Sequence, residues 1–101
     1  MIPYNKREGK IWYNNDLVDW REAKLHVLSH GLHYGSFIFE GLRVYGGEIF
    51  KLEEHTERLF HSAKIMDIKI PYSKDEINTA TKKIVSVQNV QNGYVRPFAW
   101  R

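Results

Sequence analysis

Two amphipathic helical stretches follow one another with no strand pattern between them, and this succession limits the fold more than any other feature of the sequence. In the first stretch, Thr56, Leu59 and Ala63 recur at the three- and four-residue spacing of one helix face. The second begins with Ser73 and Glu76, a capping box in which each side chain accepts a hydrogen bond from a backbone N–H at the helix start. Because an α/β fold alternates strands with single helices, two consecutive helices predict an α+β fold.

Strand patterns stand on both sides of the helices. Residues 11–20 predict a hairpin around an Asn/Asp turn. Residues 36–45 and 48–52 predict a second hairpin, because Gly46 and Gly47 make a typical two-residue turn between them. Residues 94–100 alternate in polarity as a closing strand. We expect these strands to form hairpins and a mixed sheet beside the two consecutive helices.

The composition sets further limits. The chain has 101 residues, is 43% hydrophobic and has no cysteine, so we expect one small domain without disulfides or Cys-ligated metal. No apolar run approaches the roughly 18 residues that span a bilayer, and the N-terminus lacks the apolar core of a signal peptide. We therefore expect a cytoplasmic protein with no membrane partner, with residues 1–10 as an N-terminal extension and residues 11–101 as the domain.

Nucleic acid and metal ions are not expected partners. The formal net charge is only +3, and the basic residues are dispersed along the chain instead of clustering. His26, His30 and His33 lie in a segment that contains glycine and is typical of an irregular loop or a short helical turn, a poor frame for zinc. We expect these histidines to form hydrogen bonds with nearby groups of the backbone.

Two arginines stand out because aromatic residues flank them on the same predicted strand face. Arg43 lies two residues from Tyr45, and Arg96 has Tyr94 and Phe98 at the same spacing on either side. Such an arginine either stacks as part of the structure or binds an anion, and the pattern leaves both interpretations open.

A third arginine, Arg58, lies on the first helix, about 120° from the centre of the apolar stripe. Periodicity alone favours an exposed arginine paired with Glu54, four residues earlier. The residues by themselves thus indicate an α+β domain with a candidate anion-binding aromatic face, and they indicate no nucleophile with its base.

Three sequence motifs, taken together with their order and spacing along the chain, say more than the single residues do. They are Leu28-Ser-His-Gly-Leu-His-Tyr-Gly-Ser-Phe-Ile-Phe-Glu-Gly-Leu-Arg-Val-Tyr45, Glu54-His-Thr-Glu-Arg-Leu59 and Tyr94-Val-Arg-Pro97. From about Lys10 to Arg101 the chain resembles the N-terminal small domain of branched-chain amino acid aminotransferases. These are fold-type IV enzymes of aminotransferase class IV that use pyridoxal 5'-phosphate (PLP). The resemblance implies transfer of the amino group between branched-chain L-amino acids and 2-oxoglutarate, carried out by a homo-oligomer.

The resemblance also implies roles for single residues. Arg58 matches an arginine that binds the phosphate of PLP. Tyr94 matches a tyrosine that contacts the substrate α-carboxylate, and Arg96 an arginine that meets a side-chain carboxylate such as that of glutamate. Phe39 matches an aromatic wall of the apolar side-chain pocket.

Two further positions have a match in the family. Tyr34 corresponds to a tyrosine that one subunit delivers into the pocket of the other. Arg43 corresponds to a supporting arginine near that pocket. The resemblance therefore implies a substrate site formed by Tyr34, Phe39, Arg43, Tyr94 and Arg96.

No catalytic residue is expected within the chain. In the family, the lysine that holds PLP lies in a larger C-terminal domain, so we expect this chain to be truncated before that domain and inactive alone. Two alternatives stay open. One is another class IV enzyme, a D-amino acid aminotransferase or an aminodeoxychorismate lyase. The other is a non-catalytic binding or assembly module, if the 101 residues are the complete protein.

Overall fold

The computed structural model describes residue 3 and residues 6–101. The elements in chain order are β1 (Lys10–Tyr13), β2 (Asp16–Asp19), a 3-10 turn (Trp20–Glu22), α1 (His30–Tyr34), β3 (Phe37–Phe39), β4 (Leu42–Tyr45), β5 (Glu48–Ile49), α2 (Leu52–Ile65), α3 (Lys74–Val87), β6 (Asn92–Val95) and β7 (Phe98–Trp100). The predicted extension at residues 1–10 lies partly outside the described residues. None of the helices described is long and apolar enough to cross a membrane.

The α+β class is confirmed, with α2 and α3 consecutive and strands on both sides. The strands of the described part form three small sheets, with the orders β1-β2, β3-β7 and β5-β4-β6. Each strand pair in these sheets is antiparallel, whereas the mixed sheet that we expected would also contain parallel pairs. Both predicted hairpins are present, at β1-β2 and at β4-β5.

The long strand predicted over residues 36–45 is divided into β3 and β4. The closing strand predicted over 94–100 is divided at the same level, into β6 and β7. Pro97 lies between β6 and β7 and has no N–H to continue a ladder, which accounts for the break. Its carbonyl instead accepts a hydrogen bond from the backbone N–H of Glu40 at 3.0 Å. The register nevertheless continues across the division, from Phe39 opposite Phe98 to Leu42 opposite Val95.

One hydrophobic core cluster lies between the helices and the inner face of β3, and it does not include Leu42 and Val44 of β4, the largest fully buried side chains among the described residues. Its buried members are Ile38, Leu59, Ala63, Ile68 and Ile77. The start of α3 is fixed by the predicted capping box, in which the Glu76 N–H donates to the Ser73 hydroxyl at 3.1 Å and the Ser73 N–H donates to the Glu76 carboxylate at 3.0 Å. This packing holds α2 against the strands that carry the candidate site.

Candidate functional site

A buried carboxylate joins the strand break to helix α2. The side chain of Glu40 is only 5% exposed, and charges are rarely buried without a partner. Arg58 supplies that partner: its Nε lies 3.0 and 2.8 Å from the two carboxylate oxygens, and its Nη2 donates to Oε1 at 2.7 Å. His55, one helical turn earlier, places Nδ1 2.7 Å from the same Oε1. The three side chains form one ionic cluster between the strand break and α2.

The electrostatics of the pair favour the charged forms of both groups. The hydrogen bond from Arg58, above all, lowers the pKa of Glu40, and the bond with His55 acts in the same direction against the effect of burial. The carboxylate in turn raises the pKa of Arg58. Glu40 is therefore ionised over the physiological pH range, and Arg58 keeps its charge.

The expected pairing of Arg58 with Glu54 is not what the structure contains. The carboxylate Oε2 of Glu54 lies 3.7 Å from Nζ of Lys51 instead, and Arg58 pairs with Glu40 in the strand break. Helical periodicity compares only neighbours on the same helix, and the buried carboxylate is a stronger partner than an exposed one because fewer waters compete with it. The prediction from periodicity was wrong for this reason.

A second cluster lies on the exposed side of the same strand break. The Arg96 guanidinium lies 4.3 Å from the centroid of the Phe39 ring, within the range of a cation–π contact. Its Nε also donates a long hydrogen bond of 3.4 Å to the hydroxyl of Tyr94. All three of these predicted substrate residues are exposed, and the structure brings them together.

Arg43 lies beside this cluster. It stands directly opposite Tyr94 in the β4-β6 register, so the two side chains share a face of that sheet. Its guanidinium is 5.8 Å from the ring of Tyr45. Arg43 thus lies opposite Tyr94 in the sheet, and both Arg43 and Arg96 lie against aromatic rings.

Tyr34 belongs to α1, an element that holds none of the other predicted substrate residues. It is the last residue of the short helix α1 and is 77% exposed. Among the described residues, its ring contacts the rings of His30 and His33.

Two of the three histidines have the expected backbone partners and His30 has a side-chain partner instead; His30 and His33 lie in α1, the short helical turn that was one of the two structures expected for this segment. His26 accepts from the N–H of Leu28 at 3.0 Å, and a ring nitrogen of His33 lies 2.7 Å from the carbonyl of Val27. His30 pairs with the hydroxyl of Ser36 at 2.5 Å. Within residue 3 and residues 6–101, no group of three or more side chains has the arrangement needed to hold a metal ion.

Sequence reasoning missed Glu40 as a site residue. A signal for it exists, since alternation puts Glu40 on the side of the strand opposite Phe39, toward the helices. An acidic residue at an inward position needs a cation, and His55 and Arg58 stand three apart on the facing helix. Only the strand pattern and the helix pattern taken together indicate the cluster.

Comparison with known proteins gives a consistent result. The family described as amino-transferase class IV matches residues 37–101, more than half of the chain. A branched-chain-amino-acid aminotransferase of Pseudomonas aeruginosa is 52% identical over 98 residues, covering 93% of this chain and 32% of the relative. One from Escherichia coli K12 is 41% identical over 97 residues, covering 92% and 31%. The chain thus spans about a third of the length of these relatives.

Solved structures show the same likeness. A branched-chain amino acid aminotransferase from T.th., solved with pyridoxamine 5'-phosphate, superposes with a TM-score of 0.89 at 42% identity, over 93% of this chain and 32% of that one. The branched-chain aminotransferase of Thermoproteus uzoniensis with norvaline gives a TM-score of 0.88 at 38% identity, over 93% and 33%. With the family match over residues 37–101, this chain belongs to amino-transferase class IV.

Proposed function

We propose that this chain is the N-terminal small domain of a PLP-dependent transaminase that acts on branched-chain L-amino acids and 2-oxoglutarate. The names of the relatives and the one-third coverage of their length support this proposal. In the proposed division, residues 11–101 are the small domain, residues 1–10 are an extension, and the PLP-bearing lysine belongs to another domain of the same protein.

The fit of PLP to this chain can be tested on Arg58. The bonds to Glu40 use Nε and Nη2, so Nη1 is not engaged by that carboxylate, and 66% of the side chain is exposed. A guanidinium with one edge fixed and another accessible suits a phosphate oxygen. When bound, PLP supplies an electron-withdrawing ring that stabilises negative charge on the substrate α-carbon. The part of this chain is to hold the phosphate end through Arg58.

The observation that carries the substrate proposal is the stacking of Arg96 on Phe39. A transaminase that uses both leucine-like substrates and glutamate must accept an apolar side chain and a carboxylate at one place. Phe39 provides apolar surface there, and Arg96 provides a cation within 4.3 Å of it. Tyr94 adds a hydroxyl beside them that can bind the substrate α-carboxylate. Arg43, across the ladder from Tyr94, adds positive charge near the same position.

Subunit assembly belongs to the proposal. Tyr34 is 77% exposed at the end of α1, and its ring contacts are with His30 and His33, which supports its delivery to the site of a second copy. We therefore propose that the protein is a homo-oligomer. We also propose that it is located in the cytoplasm.

The experiment that tests the function is an assay of the full-length enzyme with PLP, 2-oxoglutarate and either L-leucine or D-alanine. We expect glutamate formation with L-leucine and much less with D-alanine. Preference for D-alanine would favour a D-amino acid aminotransferase, and release of pyruvate from aminodeoxychorismate would favour the lyase. Absence of PLP binding by the full-length protein would favour a binding or assembly module.

A further inference from the structure

Glu40 connects the two parts of the candidate site. Its backbone N–H is held by the carbonyl of Pro97 at 3.0 Å, within the break between β6 and β7. On one side of it, Phe39 stacks with Arg96, and on the other, Gly41 lies against the ring of Tyr94. Its side chain points the opposite way, to His55 and Arg58 on α2. Three successive residues therefore tie the proposed substrate surface to the proposed phosphate-binding arginine.

The contacts of Glu40 restrict how Arg58 can move. Nε and Nη2 both donate to one buried carboxylate, a fork that fixes the plane of the guanidinium. The carboxylate is itself held by His55, so it cannot follow a swing of the arginine. An arginine that is 66% exposed would otherwise sample many rotamers, and ordering it on binding would cost free energy.

Charge acts against this arrangement. A carboxylate beside the cation that receives a phosphate repels the phosphate, so by charge alone Glu40 weakens binding. If orientation of Arg58 governs the effect of Glu40, removal of the carboxylate weakens phosphate binding. If charge governs it, removal strengthens phosphate binding.

We propose that Glu40 is a positioning residue that holds Arg58 oriented for the phosphate of PLP, and that this effect exceeds its repulsion of the phosphate. The proposal rests on the proposed function, because it takes Arg58 to be the phosphate ligand. It adds the carboxylate, supported by His55, as the group that sets the position of that ligand.

The test is Glu40→Gln in the full-length enzyme, with PLP affinity measured by absorbance titration of the apoenzyme. The amide keeps the volume but places an N–H₂ where Arg58 requires an acceptor. We expect the Kd for PLP to rise about tenfold, the scale of one charge-assisted hydrogen bond. An unchanged or lower Kd would overturn the proposal, because it would show that charge and not orientation governs the effect of Glu40.

A second readout separates positioning from stability. Ligand binding raises Tm by an amount that depends on Kd, so the Tm difference between holoenzyme and apoenzyme should shrink in Glu40→Gln. If Glu40 were important only for folding, its substitution would lower the Tm of the holoenzyme and of the apoenzyme together. The difference between the two Tm values and the Kd would then stay unchanged. That outcome also contradicts the proposal.

Matched controls complete the design. Glu57→Gln removes another carboxylate of α2, one that pairs with Lys74 at 2.8 Å on the surface, and should leave the PLP Kd unchanged. If Glu40→Gln does not fold, Glu40→Asp keeps the charge but shortens the reach, and we expect it to raise the Kd as well. A wild-type Kd in Glu40→Asp would refute positioning. Failure of the wild-type enzyme to bind PLP would instead refute the proposed function.

Discussion

The ring of Tyr94 lies against the backbone of Gly41, where no side chain could stand between them. A Cβ added to Gly41 would overlap the Tyr94 hydroxyl and would lie 2.9 Å from Cε2 of its ring. The missing side chain of Gly41 thus leaves room for the Tyr94 ring, whose hydroxyl accepts the hydrogen bond from Arg96. Glycine commonly marks such close approaches in a strand.

Gly41→Ala should therefore displace Tyr94 and lower kcat/KM for both classes of substrate by about tenfold, since a shift of about 1 Å in a positioning group can cost more than that. Steady-state kinetics of the full-length enzyme measures this. The control is the same substitution in a Tyr94→Ala background, where the clash is absent and little further loss is expected. An equal loss in both backgrounds would mean that Gly41 matters for its backbone and not for Tyr94.

Arg58→Ala should weaken PLP retention by about tenfold or more, because it removes the charge-assisted contact that we propose between Arg58 and the phosphate. Arg58→Lys should restore only part of the affinity, since a point charge replaces a planar fork. An absorbance titration of the apoenzyme checks both. If the alanine variant holds PLP as tightly as the parent, Arg58 is not the phosphate ligand.

Acid should destabilise the wild-type apoenzyme more than its Glu40→Gln variant. The folded-state pKa of Glu40 is lowered, chiefly by the hydrogen bond from Arg58 and also by His55. Its ion pair therefore contributes stability in full above the ordinary glutamate pKa of about 4.3 and loses it as the pH falls through the lower folded-state pKa. Tm measured from about pH 6 to about pH 3 should show the two proteins converging at the acid end. A difference in Tm that does not change with pH would contradict this.

The elements of this fold could be predicted where the signal is local. The capping box at Ser73 and Glu76 and the turn at Gly46 and Gly47 depend on residues close in sequence, and both are confirmed. The break at Glu40 was not predicted, because its cause is Pro97, more than fifty residues away on the paired strand. A proline within a strand pattern is a known mark of interruption, but which partner strand it interrupts depends on the tertiary pairing.

The same limit applies to the site. Arg58 was assigned from its resemblance to a family motif, and periodicity alone would have paired it with Glu54. Its partner Glu40 lies 18 residues away in sequence, and only the packing of α2 against the strand break brings the two together. The stacking of Arg96 on Phe39 likewise joins two segments that are far apart in the chain.

The roles of Arg96 and Phe39 can be separated by substrate. Arg96→Leu should lower kcat/KM for the half-reaction with glutamate by roughly 10–100-fold, because a carboxylate left without its partner is costly. The half-reaction with leucine should fall much less. Phe39→Ala should show the opposite bias and lose about tenfold with leucine through missing apolar contact.

Single-turnover kinetics of each half-reaction in the full-length enzyme gives these ratios directly. Because Arg96 stacks on Phe39 at 4.3 Å, each substitution also disturbs the other residue, and the double variant is needed to measure their coupling. Substrate bias should persist in each single variant despite that coupling, since in the proposed site the charge of Arg96 and the ring of Phe39 contact different parts of the substrate. Equal losses with glutamate and leucine in Arg96→Leu would instead identify the arginine as a structural cover for Phe39, and the proposed dual pocket would have to be abandoned.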